Sequence, residues 1–268
     1  MVLEQILNLK SIEKRGINVF LLAVVYTFIG IICARLVFPQ STGLMSVAFA
    51  SILLIPSLGF MLQAEENVEI REKKFSVRLL FKDHKDIFKI YLALFLGIFF
   101  AYSLTALLWS NEAIRQYFTA QAETAGLLGS ASSPYSVSAL ITNNLLVLVV
   151  CFLLSIIYGS GAVLFLTWNA SVWGVVFGFI ARQSASLSNQ NLLTAFVTTL
   201  LPFLPHMITE AVSYISAAIV GGVVSKAVLR EQLFSRKFHH IITDAVMLLV
   251  IGIVLVILAA LMEVYLAT

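Results

Sequence analysis

Charge is scarce in this chain. Of 268 residues only 12% are Asp, Glu, Lys or Arg, against roughly 25% in a soluble domain. Seventeen basic and 14 acidic side chains cannot cover a water-soluble core of this size, and 60% of the residues are hydrophobic, which excludes an ordinary soluble globular protein. Cysteine is nearly absent. Cys33 and Cys151 both lie in apolar runs, leaving no material for a disulfide framework or a Cys-based metal centre. The net charge is only +3, and the basic residues are spread over several segments instead of forming one patch, which removes nucleic acid as a partner. Proline is rare as well, five in all, so those inside apolar runs carry weight.

What is present is apolar sequence in lengths that suit a bilayer, whose core of about 30 Å needs about 20 residues per helix. Five runs are plain: 17–38, 87–109, 137–158, 162–181 and 241–266. Segment 44–62 is short and contains Pro56, which reads as either a span or a re-entrant hairpin. Segment 192–224 is too long for one plain span and should bend at Pro202 and Pro205, where backbone donors are missing. The expectation is an all-α, polytopic transmembrane helix bundle of about seven spans, six plus the possible re-entrant segment, forming a single integral membrane domain over 1–268.

Basic residues accumulate in short cytoplasmic loops. Lys10, Lys14 and Arg15 precede the first span, seven more lie between Arg71 and Lys89, and Lys226, Arg230, Arg236 and Lys237 follow the sixth. Only Arg35, Arg115 and Arg182 fall at the opposite ends, where Arg35 and Arg182 are placed to snorkel. This distribution puts a multi-pass protein in the cell membrane with its N-terminus cytoplasmic and its C-terminus extracytoplasmic. The first span reads as a retained signal anchor, because no small-residue cleavage pattern follows it.

Two polar segments interrupt the spans. Segment 63–86 reads as a cytoplasmic linker in which Phe75, Leu79, Leu80 and Ile87 interleave with Lys74, Arg78, Lys82 and Lys85. That pattern fits a helix on anionic headgroups or a solvated connector equally well. Segment 110–136 reads as an extracytoplasmic loop, helical at first and flexible along its Gly/Ser/Ala tract. Its Tyr117 and Phe118 are expected at the membrane interface, ahead of a partner-docking role.

Polar residues inside apolar spans are costly, and here they concentrate. Asn143 and Asn144 enter the fourth span, Asn169 lies in the fifth, and Pro205, His206 and Glu210 lie near the middle of the sixth. His206 and Glu210, four apart, share a helical face. Ser213, Ala217 and Gly221 continue it as a small-residue stripe, matched by Ala170, Gly174 and Gly178 in the fifth span. Such stripes allow close backbone approach. They lead to the expectation that spans five and six pack on each other, with Asn169 beside His206 and Glu210. The cluster is either a functional site or helix-locking glue.

No catalytic residues, metal site or cofactor are expected. A metal centre needs three or four ligands, and only His206 and Glu210 share a depth, with His239 and His240 in the next loop. Tyr158-Gly159-Ser160-Gly161 faintly resembles the rhomboid-type protease motif, but Ser160 sits at a turn about 15 Å from the depth of His206. Gly159 and Gly161 more simply allow a tight hairpin.

Asn143-Asn144, Tyr158-Gly159-Ser160-Gly161, Trp168-Asn169-Ala170-Ser171 and Leu204-Pro205-His206-Met207-Ile208-Thr209-Glu210 together resemble the stage II sporulation protein M family, in that order. Met207 stands where that family's Pro-His-Gly-x-x-Glu signature has glycine. The resemblance is carried mainly by 143–230, within a polar-core region at 137–230, and the Phe81-Lys82-Asp83-His84-Lys85-Asp86 run and the chain from Tyr91 onward resemble archaeal-type members. It implies an integral membrane protein, in spore formers an anchor for septal peptidoglycan remodelling with soluble hydrolase partners. The expected function is therefore a non-enzymatic scaffold in the lipid bilayer for envelope-remodelling proteins. The alternative is a small-solute or proton-coupled transporter or channel using the His/Glu/Asn cluster. Oligomeric state has no signal in the sequence.

Overall fold

Residues 16–69, 85–124 and 137–267 are described by a computed structural model, and their regular structure is entirely helical. The order is α1 (Gly16–Val37), a 3-10 turn (Pro39–Ser41), α2 (Thr42–Glu69), α3 (Lys85–Leu108), α4 (Asn111–Tyr117) and α5 (Thr119–Thr124). Then follow α6 (Val137–Tyr158), α7 (Val163–Ser188), α8 (Leu192–Leu200), a 3-10 turn (Leu201–Phe203), α9 (Leu204–Arg230) and α10 (Arg236–Ala267). Among the described residues, seven helices are long and apolar enough to cross a membrane. Residues 1–15, the linker residues 70–84 and the small-residue tract 125–136 lie outside the described part, and with them many of the basic residues from which an orientation is expected.

Segment 44–62 forms part of a continuous helix and is not a re-entrant hairpin. Pro56 removes one backbone bond, but it faces outward while Leu54, Ser57 and Leu58 on the opposite side are buried, and that packing keeps the helix whole. The sixth hydrophobic segment does break at its prolines. Asn189 takes a left-handed conformation (φ 50°) to end α7, and Asn191 caps α8 by accepting a hydrogen bond from the Leu193 amide at 2.8 Å. Pro202 falls in the 3-10 turn, and Pro205 falls in the first turn of α9, where no intrahelical N–H is required.

The long helices sort into two groups. α1, α2, α3 and α7 pack together, α6, α9 and α10 pack together, and α8 runs along α7 while α9 also touches α3. This corrects the expectation that spans five and six meet through their small-residue stripes. The stripes do bring backbones close, but each has a different partner. A Cβ on Gly174 would lie 2.7 Å from Tyr102 Cβ and one on Gly178 2.6 Å from Ala106 Cβ, both on α3. One on Gly221 would collide with the Phe152 carbonyl and lie 2.5 Å from Ser155 Cβ, both on α6. Bulky α3 side chains such as Tyr102 need a recess, and the α7 glycines supply it. Tyr102 in turn shares a 2.8 Å hydrogen bond with Ser46, tying α3 to α2. At the far end, Gly159 (φ 62°) turns the chain between α6 and α7 as a tight hairpin.

A small folded cap closes the other end. Ser110 starts α4 by accepting from the Ala113 amide at 3.2 Å, and the carboxyl of Glu112 is held below its usual range by its own backbone N–H and by Ser110. Phe118 is fully buried between the rings of Tyr102 (5.8 Å) and Trp109 (5.7 Å), so it neither rests on the membrane interface nor docks a partner. Tyr117 and Trp109 lie beneath the Arg35 guanidinium at 5.0 and 4.8 Å. Gln121, also fully buried, donates to the Gly43 carbonyl at 3.0 Å and to Ser171 Oγ at 3.3 Å, joining the cap to α2 and α7. Arg182 donates to the Leu107 carbonyl at 2.8 Å, satisfying an end of α3. Both arginines thus serve the protein's own rings and carbonyls.

Candidate functional site

The break at Pro202 decides what meets in the membrane. Because α8 descends along α7, the ring of Phe203 reaches Phe177 (centroids 5.5 Å apart), 11 residues below the end of α7, a depth of about 16 Å. α9 starts there. Its early residue His206 packs edge-on to Phe203 at 5.8 Å, with only 6% of its surface exposed and Nδ1 buried without a hydrogen-bond partner. One turn on, Glu210 is equally buried, and its Oε1 accepts a 2.6 Å hydrogen bond from the Tyr214 hydroxyl. The shared face read from the i, i+4 spacing is therefore present, but the carboxylate is fixed by the next turn of α9 and not by the histidine.

α10 delivers a third group. Glu263 lies beside His206 and Glu210 so that one ligand atom from each falls within 4.8 Å of the others. Thr209 donates to the sulfur of Met262 at 3.9 Å in the same neighbourhood. Sequence reading missed Glu263 because 53 residues separate it from Glu210 and nothing local marks them as neighbours. A signal did exist: it is a lone carboxylate near the end of an apolar run, where an acid is expensive.

The asparagines behave differently from one another. Leu148 and the Ser213 carbonyl both border Gly252, which fixes a common level for α6, α9 and α10. Asn144, one turn before Leu148, therefore lies close to the level of Glu210. It is buried with Nδ2 unpartnered, while its Oδ1 accepts from Asn143 at 3.1 Å. Asn143 itself is on the outer face of α6. Asn169 does not join the cluster, because its amide donates to the Phe165 carbonyl of its own helix at 2.8 Å and α7 packs mainly on α3. Of the small residues, Ser213, Ala217 and Ala170 are fully buried and contribute packing.

The hydrolase arrangement is excluded by distance. Gly222 faces the Gly159 carbonyl, so Ser160 stands near the level of residue 222, about 24 Å along α9 from His206. No hydrogen bond spans that gap. What remains is one imidazole and two carboxylates from two helices, held by a tyrosine and a phenylalanine in an apolar surround. Such a set can accept protons or a cation.

No curated protein and no solved structure matches this chain. The family description of stage II sporulation protein M matches residues 87–268, a range that holds the cap, the His206 cluster and all of α6 to α10. Matched over the larger part of its length, the chain belongs to the stage II sporulation protein M family.

Proposed function

We propose that this membrane protein is a non-enzymatic scaffold that anchors envelope-remodelling partners at the cell membrane, presenting its cap to them on the extracytoplasmic side. The cap is the observation that carries this reading. A loop tethered only at its ends would offer partners no fixed shape, whereas α4 and α5 are fastened to α2, α3 and α7 through buried Gln121 and Phe118. Their outward side displays exposed Glu112, Arg115, Gln116 and Glu123. A rigid polar patch above apolar helices costs little ordering entropy when a soluble protein docks on it.

Affinity purification from native membranes in mild detergent tests the scaffold. Envelope hydrolases should co-purify with the wild type and with Glu210→Gln, and be lost with Arg115→Glu/Glu123→Lys, whose substitutions are on the surface. Hydrolases retained by the charge-reversed cap would overturn the reading. Orientation is tested separately: a cysteine replacing Ser132 should react with an impermeant thiol reagent on intact cells, and one replacing Lys74 should not. The reverse labelling would put the cap inside.

A second reading, solute or proton transport, draws on the convergence of His206, Glu210 and Glu263 within apolar helices. Flux in proteoliposomes that disappears with Glu210→Gln would favour it.

A further inference from the structure

Two carboxylates meet a histidine in the His206 cluster, and among the described residues neither carboxylate has an ion-pair partner. Two carboxyl groups side by side in an apolar surround cannot both ionise unless something positive lies between them. No Lys or Arg of the described chain fills that role. The imidazole of His206 is itself more than nine-tenths buried, one of its ring nitrogens lies within 4.8 Å of both carboxylates, and its Nδ1 has no hydrogen-bond partner, so the ring has a nitrogen to offer a ligand.

We propose that His206, Glu210 and Glu263 bind one divalent first-row transition ion of the zinc class. The donor set argues for that class over calcium or magnesium, which take all-oxygen shells of six or more ligands and gain nothing from an imidazole. Two carboxylates and a neutral imidazole around a doubly charged cation sum to zero charge, so the loaded site is neutral where neutrality matters most. Ligand atoms on a tetrahedral ion stand about 3.4 Å apart. The three atoms here lie within 4.8 Å of one another, and side-chain rotation of the partly exposed Glu263 closes that gap. The Tyr214 hydroxyl on Glu210 and the Phe203 ring against His206 supply the orienting contacts that ligating residues usually have. Three protein ligands leave a fourth position for water or another small donor. The ion would also cross-link α9 to α10, fastening the last helix of the chain.

The full chain, purified through a tag free of histidine, stripped with chelator and dialysed against zinc or manganese, should retain about one ion per chain by mass spectrometry of the metal. Glu263→Gln, which keeps the shape of a partly exposed side chain, and His206→Ala should each cut that content about tenfold or more. A His239→Ala/His240→Ala variant should retain it, which separates this site from adventitious binding at the exposed pair. Zinc should raise the melting temperature of the wild type by about 5 °C and leave that of Glu263→Gln where it was. Retention of neither metal by a wild type that melts cooperatively would overturn the proposal, as would Glu263→Gln binding like the wild type. Partner capture plays no part in these readings, so the scaffold and the metal site stand or fall separately.

Discussion

Gly221→Leu is expected to lower the melting temperature in detergent by about 10 °C, corresponding to about 3 kcal/mol, while Gly222→Leu one residue along leaves it unchanged or slightly higher. At Gly221 a new Cβ collides with the Phe152 carbonyl and with Ser155 Cβ. Backbone cannot rotate out of the way as a side-chain end would, so α9 must retreat from α6 along its length. A Cβ on Gly222 meets nothing closer than the Gly159 carbonyl at 3.9 Å, and a leucine there gains its better helix propensity over glycine. Thermal unfolding followed by tryptophan fluorescence measures both. Equal melting temperatures for the two variants would refute the account of how α6 and α9 pack. Because helices in lipid gain no hydrophobic drive from associating, this close approach is a main source of their cohesion.

Phe118→Ala is expected to free the cap while leaving the long helices paired. The ring is fully buried between Tyr102 and Trp109, and truncating a buried Phe costs about 3 to 5 kcal/mol. In segments as short as α4 and α5, Phe118 is the largest of the few buried anchors beside Ile114, Gln121 and Ala122, so the loss should appear as local opening. Amide exchange in residues 111–124 should quicken about a hundredfold, with exchange in α6 and α9 unchanged. Unaltered exchange in the cap would show that its docking does not depend on this ring.

How far the sequence spoke depends on the kind of information each feature needs. Span number follows from apolar run length, so the seven helices were legible, as was the break near Pro202. The hairpin at Gly159-Ser160-Gly161 was legible because glycine is the usual residue at a φ of 62°. Helix pairing was not. Small-residue stripes at Gly174 and Gly221 announce that something approaches closely, but a four-residue period carries no address, and the partners proved to be α3 and α6. Phe118 was misread because an aromatic beside a span suits an interface and a core equally well, and the choice between them rests on the Tyr102 ring 16 residues away. In the polar centre, the i, i+4 relation of His206 and Glu210 is local and was read. Glu263 arrives through the packing of α10 on α9, which no spacing encodes.

The two helix groups are not consecutive in the chain. α6 belongs with α9 and α10, yet α7, which follows it across a hairpin, belongs with α1, α2 and α3. A cut anywhere in 125–136 would therefore leave an N-terminal piece whose three long helices remain gripped by α7 of the other piece. Nor can the C-terminal piece leave with its own trio, since α7 stands between α6 and α9 in sequence and takes α8 with it. The molecule is laced, and a single nick in 125–136 should yield two polypeptides that migrate as one particle.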